Sequence, residues 1–206
     1  MKKWFAVFLA LSLFLAVCGP ALAEEDAVTS ATIRMDVLPK VEPSEDTRIL
    51  VVYFSPDDTV KAAAYTIASA LQADLFEIVP EELYTEDDLN YRNNNSRSMT
   101  EMRDNSARPA VTEFPEDLSR YDTVILCYPI WGGQAPRILC TFLENTDLSG
   151  KRIVPFATSN SSGIGSSNKA LQSLTDESAV WEKGMGIKKG ATPEEIAAWA
   201  LELPLE

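Results

Sequence analysis

The amino-acid sequence predicts an α/β protein with one open, mostly parallel sheet and helices on both faces. Across residues 47–206, short β-branched apolar runs alternate with stretches of helical periodicity, the order of a βαβ chain. The runs are apolar throughout, as strands buried on both faces require. A length of 206 residues with 46% apolar content supports one domain with a full core and flanking segments.

Residues 1–23, "MKKWFAVFLALSLFLAVCGPALA", carry the three parts of a secretory signal. Lys2 and Lys3 form the charged start, Trp4 to Val17 the apolar run, and Ala21-Leu22-Ala23 the small-x-small cleavage site. The run is short for a membrane span. Cleavage after Ala23 and Sec-type export to the periplasm, cell surface or medium are therefore expected. The membrane would enter only through an uncleaved signal or a lipid on Cys18, in the partial lipoprotein signal "LAVC". Residues 24–46 are acidic and Pro-containing, and are expected to form a flexible linker before a domain at 47–206.

A first strand is predicted over 48–54, then a helix over 59–71 with Asp57 or Asp58 at its N-cap. A second strand follows over 74–79, stopped by Pro80. A third spans 123–128, and a Gly-Gly turn leads to a helix over 137–145. The fourth strand covers 151–157, and a Ser/Gly-rich loop opens a helix over 167–174. A last strand is predicted over 179–183 and a last helix over 192–203, capped by Thr192 with Pro193 in its first turn. Ligands of such sheets lie beyond the carboxyl ends of the strands, so the loops after the first, third and fourth strands are the informative ones. Residues 81–114 break the rhythm with a long polar stretch. Tyr84, Tyr91 and Asn93-Asn94-Asn95 are candidates to fold over a ligand there; the alternative is a solvated surface excursion.

Composition excludes several functions. There are 18 Lys and Arg against 31 Asp and Glu, a net charge of −13 that argues against nucleic acid and anionic membrane surfaces as partners. Without any His, Ser-His and Cys-His nucleophile systems are ruled out, and three Cys without ligand spacing argue against zinc. Cys127 and Cys140, in "VILCYPIW" and "RILCTFLE", are expected to be buried free thiols.

The segments "ILVVYFS", "ADLFEIVPEELYTEDD", "SARPAV", "YDTVILCYPIWGGQAPRILCTFLE" and "DLSGKRIVPFATSNSSGIGSS" are colinear with those of a known family. Over nearly all of residues 47–206 the chain resembles the flavodoxin family, in particular the larger flavodoxin-like proteins of clostridia and related bacteria. The resemblance implies a five-stranded parallel sheet in the order 2-1-3-4-5 and bound flavin mononucleotide (FMN) used for electron transfer. It places Trp131 against the flavin ring, in a loop with Pro129, Ile130, Gly132 and Gly133. A tryptophan face beside a flat aromatic cofactor is favourable, and two glycines let the backbone come close. Residues from Ser159 to Gly165, Gly163 included, would line the other edge; no side chain is assigned as acid or base.

The first loop departs from the family. The usual turn is Ser-x-Thr-Gly-x-Thr, whose hydroxyls and N–H groups surround the phosphate. Here it reads Ser55-Pro56-Asp57-Asp58-Thr59-Val60. Ser55 is retained, and Thr59 would supply a hydroxyl if the turn rearranged. A carboxylate about 5 Å from a phosphate opposes it by roughly 3 kcal/mol per unit of phosphate charge at an effective dielectric of about 20. One outcome is that Asp57 or Asp58 caps the helix and fills the anion site itself. The other is a phosphate held by Ser55, Thr59, the Val60 position and main-chain amides.

Two functional classes follow. The first is an exported FMN-dependent electron-transfer protein or oxidoreductase, whose acidic surface would favour a basic redox partner. Acting on a quinone or other aromatic substrate, it would use the Tyr84 and Tyr91 loop as a wall. The second is a flavodoxin-like binding module that has lost the phosphate site and takes another aromatic ligand or a protein partner.

Overall fold

The computed structural model describes residues 38–39, 41, 47–159, 163–188 and 190–205. The predicted signal segment, with Cys18, lies outside the described residues, as does most of the predicted linker. Of that linker, Val41 packs against the domain core, and Leu38 and Pro39 line a groove with Ala62, Thr66 and Ala197. Apolar packing on the domain thus includes residues upstream of Thr47.

The apolar runs become strands β1 (Ile49–Tyr53), β2 (Asp74–Glu77), β3 (Thr123–Pro129) and β4 (Arg152–Ser159), followed by two short strands, β5 (Val180–Trp181) and β6 (Met185–Lys188). Every pairing is parallel, in the order β2-β1-β3-β4-β5, with β6 also on β4. This is the predicted topology. In register, Val51 of the central β1 lies opposite Leu75 on one side and Ile125 on the other.

Alternation along the strands divides the core in two, because successive side chains point to opposite faces. Val124, Leu126 and Tyr128 join Leu50, Val52 and Phe54 beneath α3 (Arg137–Glu144) and α4 (Ser167–Gln172). Ile125 and Cys127 join Val51, Tyr53, Val154 and Phe156 beneath α1 (Thr59–Leu71) and α5 (Pro193–Leu201). Ala63, Ala64 and Ala68 on α1 are all buried, small enough to bring that helix close to the sheet. Cys127 and Cys140 are buried free thiols in different clusters, one on each face. The final helix starts as expected: Thr192 Oγ1 accepts from the Glu195 N–H and the Glu195 carboxylate accepts from the Thr192 N–H, a full capping box.

The predicted last strand over 179–183 is corrected to the pair β5 and β6. Ile153 of β4 turns its carbonyl to that edge and accepts the Glu182 N–H at 2.9 Å. The next residue facing the same way is Pro155, which has no N–H to give. The ladder breaks there, Gly184 steps over the ring at φ +66°, and pairing resumes at Phe156 with Met185.

The polar stretch after β2 is pinched at its base. Pro80 lies opposite Val111, Glu81 N–H donates to Ala110 at 3.0 Å, and Thr112 N–H donates to Val79 at 2.9 Å. Inside it lies a helix the sequence did not announce, α2 (Arg97–Arg103), with only Ser98 and Met102 buried. Seven residues with one buried apolar side chain carry too little periodicity to read.

Candidate functional site

Three loops meet beyond the carboxyl ends of β1, β3 and β4. In the first, Asp58 is the N-cap residue of α1 in the left-handed conformation, φ 60°, and its side chain makes no capping bond. Capping falls instead to its neighbours. Asp57 Oδ1 accepts the Thr59 N–H at 3.3 Å, and Ser55 Oγ accepts the Lys61 N–H at 2.8 Å. Both aspartates are exposed, Ser55 and Thr59 half-buried. The Val60 side chain is fully buried in the α1 cluster. The Lys61 ammonium, in the first turn of α1, lies 3.6 Å from Glu77 at the end of β2.

The second loop leaves β3 through buried Pro129 and half-buried Ile130, whose N–H donates to Thr158 of β4 at 2.8 Å. Trp131 and Gln134 exchange two backbone hydrogen bonds of 2.9 Å, closing a tight turn over Gly132 (φ 52°) and Gly133 (φ 84°). Two consecutive positive φ angles define a type I′ turn, which glycine adopts without strain. Trp131 is half-buried, and its ring meets Phe54 of the first loop at 5.8 Å and Tyr84 at 5.4 Å, both edge to face.

The third loop begins at buried Ser159; residues 160–162 lie outside the described residues. Gly163 and Gly165 are exposed, and a β-carbon at Gly165 (φ +56°) would lie 3.8 Å from the Gly133 carbonyl oxygen, so this loop runs beside the Trp131 turn. Tyr128 of β3 bonds Ser167 at 3.0 Å, and Ser167 Oγ donates to the Ile164 carbonyl, which ties the loop to the sheet. Burial pushes the Tyr128 phenol up to about 12, so it keeps its proton at neutral pH.

The excursion between β2 and β3 closes against this site. Tyr84 packs on Phe54 as well as Trp131, and its hydroxyl donates to Glu101 at 2.6 Å. Burial and the Glu101 carboxylate raise its pKa. Arg97 also binds Glu101, at 2.7 Å, and lies over the Tyr84 ring, 4.1 Å from its centroid. Tyr91 and Asn93 to Asn95 are exposed. Arg137, 6% exposed at the start of α3, donates to the Met102 carbonyl, to Asn105 Oδ1 at 2.6 Å and to Gln134 Oε1 at 3.0 Å. It thereby joins α2 to the Trp131 turn. The signal for it was a lone cation opening the apolar run "RILCTFL".

The family model for flavodoxin matches residues 48–203. The chain belongs to the flavodoxin family. Two solved structures, provisionally assigned flavoproteins from Bacteroides eggerthii and Bacteroides uniformis, are each 39% identical to this flavodoxin-family chain. The first covers 77% of this chain and 99% of its own, with a TM-score of 0.69; the second covers 75% and 98%, with a TM-score of 0.70. A flavoprotein from Lactobacillus acidophilus, solved in complex with FMN, shares 20% identity over 74% of this chain and 98% of its own. Its TM-score of 0.52 shows the common fold alone. No curated protein matches the chain. Among the described residues of this flavodoxin-family protein, no group of three or more His, Cys, Asp or Glu side chains could hold a metal ion.

Proposed function

We propose that this flavodoxin-family protein is an exported electron-transfer flavoprotein that holds a flavin ring at the turns following β3 and β4. One observation carries the reading: the Trp131 turn and the Gly163 to Gly165 loop lie side by side at the strand ends, the first bonded through Ile130 to Thr158 of β4 and the second passing Gly165 beside the Gly133 carbonyl. Between them stands a half-buried tryptophan steadied by two other aromatic rings. Pro129, Ile130, Trp131, Gly132 and Gly133 would form one wall, and Ser159, Gly163 and Gly165 the other. The residues present fit the ring end of a flavin, since open glycine backbone and an aromatic side chain suit a flat, polar-edged ring. The phosphate end does not fit, because side chains of the turn already take the Thr59 and Lys61 N–H groups.

A bound flavin supplies the electron transfer; the chain binds, orients and shields it. Phe54 and Tyr84 hold the Trp131 ring, while Tyr128 and Ser167 hold the opposing loop with their protons in place. A net charge of −13 favours a basic redox partner, and the segment 1–23 supports export.

The test is the absorbance of the purified protein after incubation with FMN or riboflavin and then desalting. Retained flavin bands with either compound are expected. A second reading, a binding module without flavin, is favoured by Asp57 on the helix start; no retained flavin of either kind would establish it over the first.

Gly186 gives a second check. A β-carbon there would lie 2.3 Å from the Ile164 nitrogen and 2.7 Å from the Gly163 carbonyl carbon. Gly186→Ala must push that loop outward, an overpacking of about 1–3 kcal/mol. Flavin affinity should fall about tenfold or more. Unchanged affinity in a folded variant would remove the loop from the site.

A further inference from the structure

We propose that this site takes a flavin lacking the phosphate, riboflavin or a neutral analogue, at least as well as it takes FMN. The inference rests on the flavin reading above and concerns only the far end of the ligand. In a doubly wound sheet, an anionic tail reaching from the strand ends seeks the helix N-terminus at the switch point between β1 and β3, which here is that of α1.

Three features oppose an anion there. Asp57 and Ser55 already accept from the Thr59 and Lys61 N–H groups, at 3.3 and 2.8 Å. Asp57 and Asp58 are both exposed on the turn, and rotating their side chains shortens or lengthens the repulsion without changing its sign. The cation in the first turn of α1, Lys61, lies beside Glu77. Asp58 moreover occupies a left-handed position, φ 60°, that glycine would hold without strain, so a negative charge is kept where backbone geometry would favour no side chain. The ring-side turns carry no comparable charge: the residues from Pro129 to Gln134 and from Gly163 to Asn168 include no Asp or Glu.

The experiment titrates the full chain with riboflavin and with FMN, following flavin fluorescence at low and at high salt. Riboflavin should bind at least as tightly as FMN. FMN binding should strengthen as salt rises, because screening weakens repulsion between like charges, and riboflavin binding should barely move. In the double variant Asp57→Thr, Asp58→Gly, FMN should bind about tenfold or more tighter, with riboflavin within about threefold of the parent. Wild-type protein binding FMN tenfold tighter than riboflavin overturns the inference and leaves the flavin reading intact. An equal shift of both ligands in the double variant also overturns it. Binding of neither flavin overturns the flavin reading, and the inference with it.

Discussion

Gly184→Ala should destabilise the protein by about 2–5 kcal/mol, the sum of left-handed strain of about 1–2 kcal/mol and overpacking of about 1–3 kcal/mol. A β-carbon at this position would lie 2.1 Å from the Pro155 carbonyl oxygen and 2.9 Å from two atoms of the proline ring. Neither obstacle can yield easily. The oxygen belongs to the backbone of β4, which is paired along its length with β3, and the ring is closed. Gly150→Ala is the internal control: its φ is +70°, but a β-carbon there would meet nothing within 4 Å. It should show the strain alone, about 1–2 kcal/mol. Urea unfolding of both variants measures the difference. Equal losses would mean that the Pro155 contact carries no weight and that the break between β5 and β6 has another cause.

Arg137→Met is expected to cost about 3 kcal/mol, because hydrogen bonds from a charged donor contribute about 1.5–3 kcal/mol each and Met102, whose carbonyl is left behind, is buried, whereas exposed Asn105 can turn to water. The methionine keeps most of the side-chain bulk, so packing is largely preserved. What is lost is the junction between the Met102 carbonyl at the end of α2, Asn105, and Gln134 in the Trp131 turn. The excursion over residues 81–110 should then open more often than the sheet does. Amide exchange in α2 should accelerate well beyond that in β3, and Trp131 fluorescence should report a wetter ring. A variant with unchanged exchange in α2 would show that the Tyr84, Glu101 and Arg97 cluster holds the excursion without help.

Much of this was readable from local pattern. Strands β1, β3 and β4 each contain a continuous apolar run, which suits burial on both faces. The Gly132-Gly133 pair marked a turn because two positive φ angles need glycine. The aspartates of the first loop declared the sign of its charge. Other parts were not readable. Nothing near Val180 foretells that its strand will stop after two residues, since the cause sits in Pro155 on the neighbouring strand. Tyr84 and Tyr91 look alike in sequence, yet only Tyr84 reaches Phe54 and Trp131.

By itself, the sequence determined the alternation of strand and helix, the parallel sheet and the negative turn before α1. These follow from side-chain type and spacing within a few residues, which sets period, propensity and charge. Tertiary structure alone decided which aspartate caps α1, where the last strand divides, and which tyrosine covers Trp131. The first depends on the left-handed backbone at Asp58; the other two depend on distances between residues far apart along the chain, which become fixed only when the sheet and its loops are packed.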